Sequence, residues 1–285
     1  MTDWASILSI SLIQNMFYAT ILASILCGII GTYVVVKRIV FVSGGIAHAT
    51  FGGVGFAYYL QSVFLISWFD PMLGALFFAI GSALIIGSPR INKRLREDST
   101  IGVLWVVGMA LGVLFINLSD HNVVVVRSYE SILFGNVLLV SSQDLQFMLV
   151  MILVVLGLVA FFYRDLQIVT FDEIHARISG INVTLMNTLL YILVAMTSVM
   201  VMNIVGIVLV IALLTIPAAM ASMFSNDLKQ IMVLAVASSL VLSLLGLVLA
   251  IAYNVPPGAS IVLTLAAFFL ISMGVKTLYE KGYLS

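Results

Sequence analysis

One histidine, His48, lies where an ionisable side chain is costly. No aspartate, glutamate, lysine or arginine occurs between Ile39 and Phe69, and the centre of this segment reads FVSGGIAHATFGG. An ionisable residue inside an apolar span usually faces a water-filled path or a partner, and a neutral imidazole is a common ligand of transition metals. We therefore predict that His48 lines a path for a metal ion, with the nearby hydroxyl residues Ser43 and Thr50 as weaker candidates. The alternative from the residues alone is a neutral histidine hydrogen-bonded between packed helices.

A second candidate site is the segment RDLQIVTFDEIHARISGINV, residues 164–183, which carries charges of both signs. Asp172 and Glu173 suit the N-terminus of a helix, and Gly180 suits its end. The pattern predicts a short amphipathic helix on the inner surface of a membrane. On physical grounds this helix is either a solvated connection or an element that docks on a soluble partner.

A third candidate is a proline inside the apolar segment VGIVLVIALLTIPAAMAS, residues 205–222. Pro217 should kink a spanning helix and leave the carbonyl about four residues earlier without its donor. The hydroxyl of Thr215 could bond to such a freed backbone group. The kink is either a packing feature or a hinge for a gate.

The composition shows which elements must position these residues. Hydrophobic residues make up 63% of the 285 and charged residues 8%, against about 25% charged in soluble domains. A spanning helix needs about 20 apolar residues, and no polar stretch is long enough for a soluble domain. We predict an all-α, polytopic membrane protein that forms one transmembrane domain over residues 1–285. The predicted spans are roughly 7–36, 42–67, 71–88, 100–118, 145–163, 184–202, 204–225, 230–253 and 258–275.

The distribution of basic residues predicts an orientation. With the N-terminus outside and nine alternating spans, all but one of the 12 lysines and arginines fall inside, and only Arg127 falls outside. The C-terminus is then inside, and the protein is a multi-pass membrane protein. The turn at Asn203 and the first 15 residues leave eight spans open as an alternative. The outer segment 119–144 is either a structured loop or a docking surface or lid.

Together these segments resemble the permease subunits of ABC transporters that import zinc, manganese or ferrous iron. SGGIAHATFGG is similar to that family's G-D-x-x-S-H-A-x-x-P-G motif, and DEIHARISG to its D-E-x-x-A-x-x-x-G coupling segment. VGIVLVIALLTIPAAMA and PPGASIV are similar to its two later motifs, V-G-x-x-L-V-x-A-L-L-x-x-P-A-A-x-A and P-x-G-A-x-I-V. The four segments occur in the family's order over nearly the whole chain.

The resemblance implies a homodimeric permease in the cytoplasmic membrane of a prokaryote. It would rest on a cytoplasmic ABC ATPase and receive its ion from an extracytoplasmic metal-binding protein. The chain itself has no G-x-x-x-x-G-K-[ST] loop, which agrees with an ATPase on a separate chain, so the chain would be a transport subunit and not an enzyme. No cofactor is expected to stay bound, a divalent metal ion is the cargo, membrane lipid surrounds the protein, and no nucleic acid is involved. The residues implied for ATPase coupling are Asp172, Glu173, Ala176 and Gly180.

One position departs from the family pattern. The motif's aspartate falls on Gly44, four residues before His48, so the carboxylate that would share a helix face with the imidazole is missing. A second copy of His48 in a dimer or another helix must then complete the site, or the site is weaker. The loss of an anionic oxygen favours ions that accept nitrogen ligands over manganese.

Other functions remain open from the sequence. An ABC permease could carry another small or chelated solute. An ion-coupled secondary transporter needs no ATPase, but such carriers usually relay ions through carboxylates within their spans, and the predicted spans place none at mid-membrane. A membrane scaffold or assembly factor is a third alternative.

Overall fold

The computed structural model describes residues 11–89, 96–120 and 140–283, and within these ranges the regular structure is helical. In chain order the helices are α1 (Ser11–Val36), α2 (Val40–Val63), α3 (Pro71–Ile86), α4 (Glu97–Leu118), α5 (Ser142–Phe161), α6 (Tyr163–Phe171), α7 (Glu173–Ile178), α8 (Val183–Val205), α9 (Ile207–Ser222), α10 (Leu228–Tyr253) and α11 (Pro257–Tyr283).

The helix lengths confirm a polytopic all-α membrane protein. In the described ranges, 7 helices are long and apolar enough to cross a membrane. Helices α3 and α9 are also apolar but have 16 residues each. A helix of that length spans about 24 Å, which is less than the roughly 30 Å hydrocarbon core. These nine helices fall on the nine predicted spans, while the direction of the termini stays a prediction.

Residues 178–226 carry no charge and contain a break between two helices, and this break differs from its predicted position. The turn was predicted at Asn203, in the segment MNIVG with its polar residue and its glycine, but α8 continues to Val205 and the glycine alone, Gly206, separates it from α9. Gly206 has φ 82° and ψ 162°, a conformation that residues with a Cβ atom avoid. The backbone requirement therefore places the break at the glycine and keeps the asparagine helical. The predicted break between the spans 230–253 and 258–275 is confirmed, since α10 ends at Tyr253 and α11 begins at Pro257.

The helices form two compact units. One unit contains α1, α9, α10, α11 and the first part of α5. Its helices approach closely at glycines: a Cβ atom on Gly28 of α1 would lie 2.7 Å from Val236 Cα of α10, and one on Gly246 of α10 would lie 2.7 Å from Ile261 Cα of α11. Small residues allow such contacts between membrane helices.

The other unit contains α2, α3, α4, α6, α7, the second part of α5 and nearly all of α8. Helices α2 and α4 run in the same direction, because Gly45 faces Ile101 and Gly55 faces Gly112 further along both helices. A Cβ atom on Gly55 would lie 2.5 Å from the Gly112 carbonyl oxygen, and one on Gly108 would lie 2.5 Å from Ala49 Cα. The backbones of α2 and α4 are therefore in close contact between residues 49 and 55, directly after His48, and Gly45 packs on the Ile101 side chain before it.

Helix α3 packs on α2 through another glycine pair, which gives a stability prediction. A Cβ atom on Gly53 would collide with the carbonyl oxygen of Gly74, so the two helices would have to separate. We expect Gly53→Ala to lower the free energy of unfolding by about 1–3 kcal/mol, the usual cost of overpacking. Thermal unfolding of the purified protein in detergent measures the effect. Gly81→Ala on α3 is the matched control, because its added methyl group meets nothing within 4 Å; equal melting temperatures for the two variants would contradict the prediction.

Candidate metal path and coupling helix

His48 lies in the third turn of α2 and is half-buried. Its imidazole ring stacks on the indole of Trp105 from α4, with ring centroids 4.2 Å apart and planes inclined by 15°. The Nδ1 atom of His48 is buried and has no hydrogen-bond partner among the described residues. The alternative of a histidine hydrogen-bonded between helices thus finds no support at this nitrogen within the described part of the chain.

The two hydroxyl residues near His48 are fully buried and already bonded. Ser43 Oγ donates to the Val40 carbonyl at 2.8 Å. Thr50 Oγ1 lies 2.5 Å from the Ala47 carbonyl and 2.6 Å from Met202 Sδ of α8. Because successive residues of a helix are rotated by about 100°, Thr50 points away from the face of α2 that carries His48. The helix geometry therefore separates Thr50 from His48, and its role in the path stays a prediction.

Gly44 is the position that shares a face with His48. It lies one helical turn earlier and is buried, so a side chain there would project on the same side as the imidazole. Within the described ranges, no group of three or more histidine, cysteine, aspartate or glutamate residues could hold a metal ion. In this part of the chain, His48 is therefore not a member of a complete metal cage, and its role as a metal ligand stays a prediction.

The short helix predicted in the segment 164–183 is α7, which spans Glu173–Ile178; its place on the inner surface stays a prediction. The Asp172 carboxylate accepts hydrogen bonds from the backbone N–H groups of Ile174 at 2.8 Å and His175 at 2.9 Å, and so caps the helix. After the helix, Gly180 adopts φ 82°, and the Ile181 N–H donates to the Ala176 carbonyl at 3.0 Å. This is the glycine-terminated end of a helix, so the predicted start and end of α7 are confirmed.

The surface of α7 adds two residues that the sequence analysis did not single out. Ile174 is 73% exposed and Ile178 is 80% exposed, whereas Ala176 is 0% exposed. Residues four apart share a helix face, so the two isoleucines form one outward apolar patch, which we call the isoleucine pair. Their i, i+4 spacing was visible in the sequence, but their exposure was not.

Glu173 faces the protein and not only solvent. Its carboxylate oxygen Oε1 accepts a hydrogen bond from Asn187 Nδ2 of α8 at 3.0 Å. Glu173 was predicted as a coupling residue, and the structure gives it a bond that joins α7 to a long apolar helix. The segment before α7 is also helical, since α6 covers Tyr163–Phe171 and buries Leu166 and Val169.

The proline of the third candidate lies buried inside α9, and the helix continues through it. Thr215 Oγ1 donates to the Ile211 carbonyl at 2.7 Å, and not to the Leu213 carbonyl that Pro217 deprives of its donor. The expected bond to the freed group is therefore corrected, because a threonine hydroxyl in a helix reaches the carbonyl four residues back. The proposed gate at Thr215 and Pro217 stays a prediction.

Most of the predicted outer segment, residues 119–144, lies outside the described residues, so its role as a loop, docking surface or lid stays a prediction.

Comparison with known proteins identifies relatives over nearly the whole chain. The model of the ABC 3 transport family matches residues 9–276. The chain is 36% identical over 282 residues to the manganese transport system membrane protein MntC of Halalkalibacterium halodurans. This alignment covers 97% of the present chain and 93% of the relative. It is 36% identical over 263 residues to an uncharacterized membrane protein of Synechocystis sp., with 92% and 90% covered. A solved chain of PsaBC from Streptococcus pneumoniae, determined in complex with Fab, superposes with a TM-score of 0.80 at 31% identity and covers 93% of this chain and 91% of its own.

Proposed function

Because the chain belongs to the ABC 3 transport family, we propose that it is the permease through which an ATP-driven importer moves a divalent transition-metal ion. It is a multi-pass membrane protein of the cell membrane and a transport component rather than an enzyme. Two features support the metal as cargo. A relative that matches almost end to end is named a manganese transport protein, and His48 places an imidazole within an apolar helix where its Nδ1 atom has no hydrogen-bond partner among the described residues.

The proposed assembly is a pair of identical permease chains, each a single domain, with two kinds of partner. A cytoplasmic ABC ATPase docks on α7, where the isoleucine pair supplies exposed apolar surface. An extracytoplasmic metal-binding protein delivers the ion from the opposite side. In a pair of chains, His48 of each copy contributes one imidazole to the path, which offsets the missing carboxylate at Gly44.

The proposed mechanism is alternating access driven from the inside. The ion leaves its external carrier and pauses at His48, and a weak pause suits transport because an ion held too tightly would not move on. ATP binding in the partner shifts α7, and the hydrogen bond between Glu173 and Asn187 passes this shift to α8. Protonation of His48 competes with the metal for the same ring, so uptake should fall in acid medium.

The identity of the ion is proposed from the chemistry of the site. Imidazole nitrogen suits zinc and ferrous iron, whereas manganese favours carboxylate oxygen. The chain has glycine at the position that shares the His48 face, which favours the nitrogen-binding ions, while the name of the relative favours manganese. Element analysis of cells with and without the gene decides among the three. Unchanged manganese, zinc and iron contents in cells that lack other importers would contradict the proposed function.

Restoring a carboxylate at position 44 should change the ion preference. We expect Gly44→Asp to raise the ratio of manganese to zinc uptake several-fold, because it adds an anionic oxygen on the face of His48. Gly44→Asn is the matched control, since it has nearly the same volume without the charge. Uptake of both ions from one mixture, measured by element analysis, gives the ratio. A ratio equal in the two variants would show that position 44 does not contact the ion.

The rival functions are separated by reconstitution. A secondary transporter would move metal in liposomes that contain this chain alone under an ion gradient, whereas the proposed permease needs its ATPase and ATP. An ABC permease for a chelated metal would transport the complex and leave the free ion behind. A membrane scaffold would transport neither the free ion nor the chelated metal.

A further inference from the structure

The orientation of the His48 ring requires a cause. In most metal sites the second ring nitrogen of a ligating histidine donates a hydrogen bond to a carboxylate, a carbonyl or water, and this bond fixes the plane of the ring. Among the described residues, His48 Nδ1 has no such partner. With the ion bound at Nε2, no hydrogen bond from a described residue holds the imidazole plane at Nδ1, so we look to the ring contacts of His48 for the interaction that holds it.

The indole of Trp105 is the contact that can hold it. The two rings are nearly parallel, at 15°, with centroids 4.2 Å apart. Turning the imidazole about its Cβ–Cγ bond would break this stack and push a ring edge into the indole face. The stack therefore restricts the ring in the way that a hydrogen bond restricts it elsewhere.

Trp105 is itself held in register with His48 by the contact between α2 and α4. One turn before it, Ile101 meets Gly45, and three residues after it, Gly108 meets Ala49 with almost no space between the backbones. Residues 101, 105 and 108 share one face of α4. Because this face cannot slide along α2 without collisions, the indole stays opposite the imidazole.

The stack also stabilises the metal-bound form of the imidazole by electrostatic attraction. A cation bound to imidazole withdraws electron density from the ring and leaves it partly positive. The face of an indole carries negative potential and attracts positive charge. Trp105 thus stabilises the metal-bound imidazole more than the empty one.

We propose that Trp105 is a positioning residue for metal binding: its indole fixes the plane of the His48 imidazole and stabilises the ring when the ion is bound. This inference rests on the proposed role of His48 as a metal ligand. Trp105 itself contributes no ligand atom.

The first test uses the natural fluorescence of Trp105 in the full chain, reconstituted in lipid nanodiscs. The chain has three tryptophans, Trp4, Trp68 and Trp105, so Trp4→Phe with Trp68→Phe leaves Trp105 as the only indole. Titration with Zn²⁺, which is diamagnetic, and with Mn²⁺ should change its emission in a saturable way. Adding His48→Ala should abolish the change. Saturable binding in the parent without any change in Trp105 emission would overturn the proposal.

The second test compares metal affinity among variants, measured by retention of radioactive metal on the nanodiscs. We expect Trp105→Leu to weaken binding about tenfold, as the loss of a group that orients a metal ligand does, while Trp105→Phe, which keeps an aromatic stack, retains most of the affinity. In transport, Trp105→Leu should raise the half-saturating metal concentration more than it lowers the maximal rate. Trp68→Leu is the matched control, because Trp68 is 74% exposed and makes no ring contact with His48.

The outcomes separate the two proposals. If His48→Ala binds metal as tightly as the parent, the proposed role of His48 is wrong whatever Trp105 does. If His48→Ala loses binding but Trp105→Leu binds as the parent does, only the role of Trp105 is wrong. If Trp105→Leu does not fold, the fluorescence titration, which keeps Trp105 in place, still decides the question.

Discussion

Replacing His48 by alanine will reduce metal uptake by about 100-fold or more in cells that lack other importers. Loss of a group that merely orients a ligand costs about 10–100-fold in metal affinity or activity, and loss of the ligand itself should reach at least the upper end. Within the described ranges no further cluster of ligating side chains could take over. Accumulation of radioactive manganese or zinc over the first minutes measures the initial rate.

A second variant separates the ligand from the fold. His48→Phe keeps an aromatic ring that can stack on Trp105 but has no nitrogen to bind the ion. We expect it to reach the membrane in normal amounts and to show the same loss of uptake. Gly81→Ala, where the added methyl group has open space, should transport normally. Uptake near the parental rate in both His48 variants would remove this residue from the mechanism.

Placing aspartates at Ile174 and Ile178 will uncouple the permease from its ATPase. The isoleucine pair is 73% and 80% exposed, and burial of such a pair against a partner would make both residues central to the interface. A central interface residue contributes about 2 kcal/mol or more, so binding should weaken by at least about 30-fold. Co-purification of the ATPase and transport-linked ATP hydrolysis measure the loss, while metal binding by the permease alone should remain.

The control for this pair keeps its apolar character. Ile174→Val with Ile178→Val retains branched apolar side chains and should retain the ATPase. Asp172 and Gly180 must be left unchanged, because they form the two ends of α7 and their loss would unwind the helix itself. An aspartate variant that still binds the ATPase as tightly as the parent would place the docking surface elsewhere.

The parts of the fold that were predictable from the sequence are those set by local chemistry. Gaps between charged residues located the apolar helices, and Asp172 and Gly180 located the ends of α7, because capping depends on residues only a few positions apart. The prediction recognised both the asparagine and the glycine of MNIVG and placed the break at Asn203; the structure has it at Gly206, because the break depends on backbone freedom more than on polarity. For Thr215, the sequence correctly predicted that the hydroxyl bonds to a backbone carbonyl. It did not predict that this carbonyl belongs to Ile211.

The parts that sequence reasoning missed depend on contacts between distant residues. Trp105 is far from His48 in the chain, and only the register of α2 against α4 brings the two rings together. The hydrogen bond from Asn187 to Glu173 likewise joins two helices. Periodicity within one segment contains no information on such pairs. The glycines on α2 and α4 permit close approach, but the sequence does not indicate which residues face each other.

The glycine contacts between α2 and α4 have a consequence for redesign of the ion preference. Since the two backbones are in close contact at residues 55 and 112 and at residues 49 and 108, we expect α2 and α4 to move together in any rearrangement and to carry the imidazole and the indole with them. Mutational libraries aimed at a new cargo should therefore avoid these contact positions, where almost any larger side chain would push the two helices apart. Diversity belongs at position 44, which shares the helix face of His48.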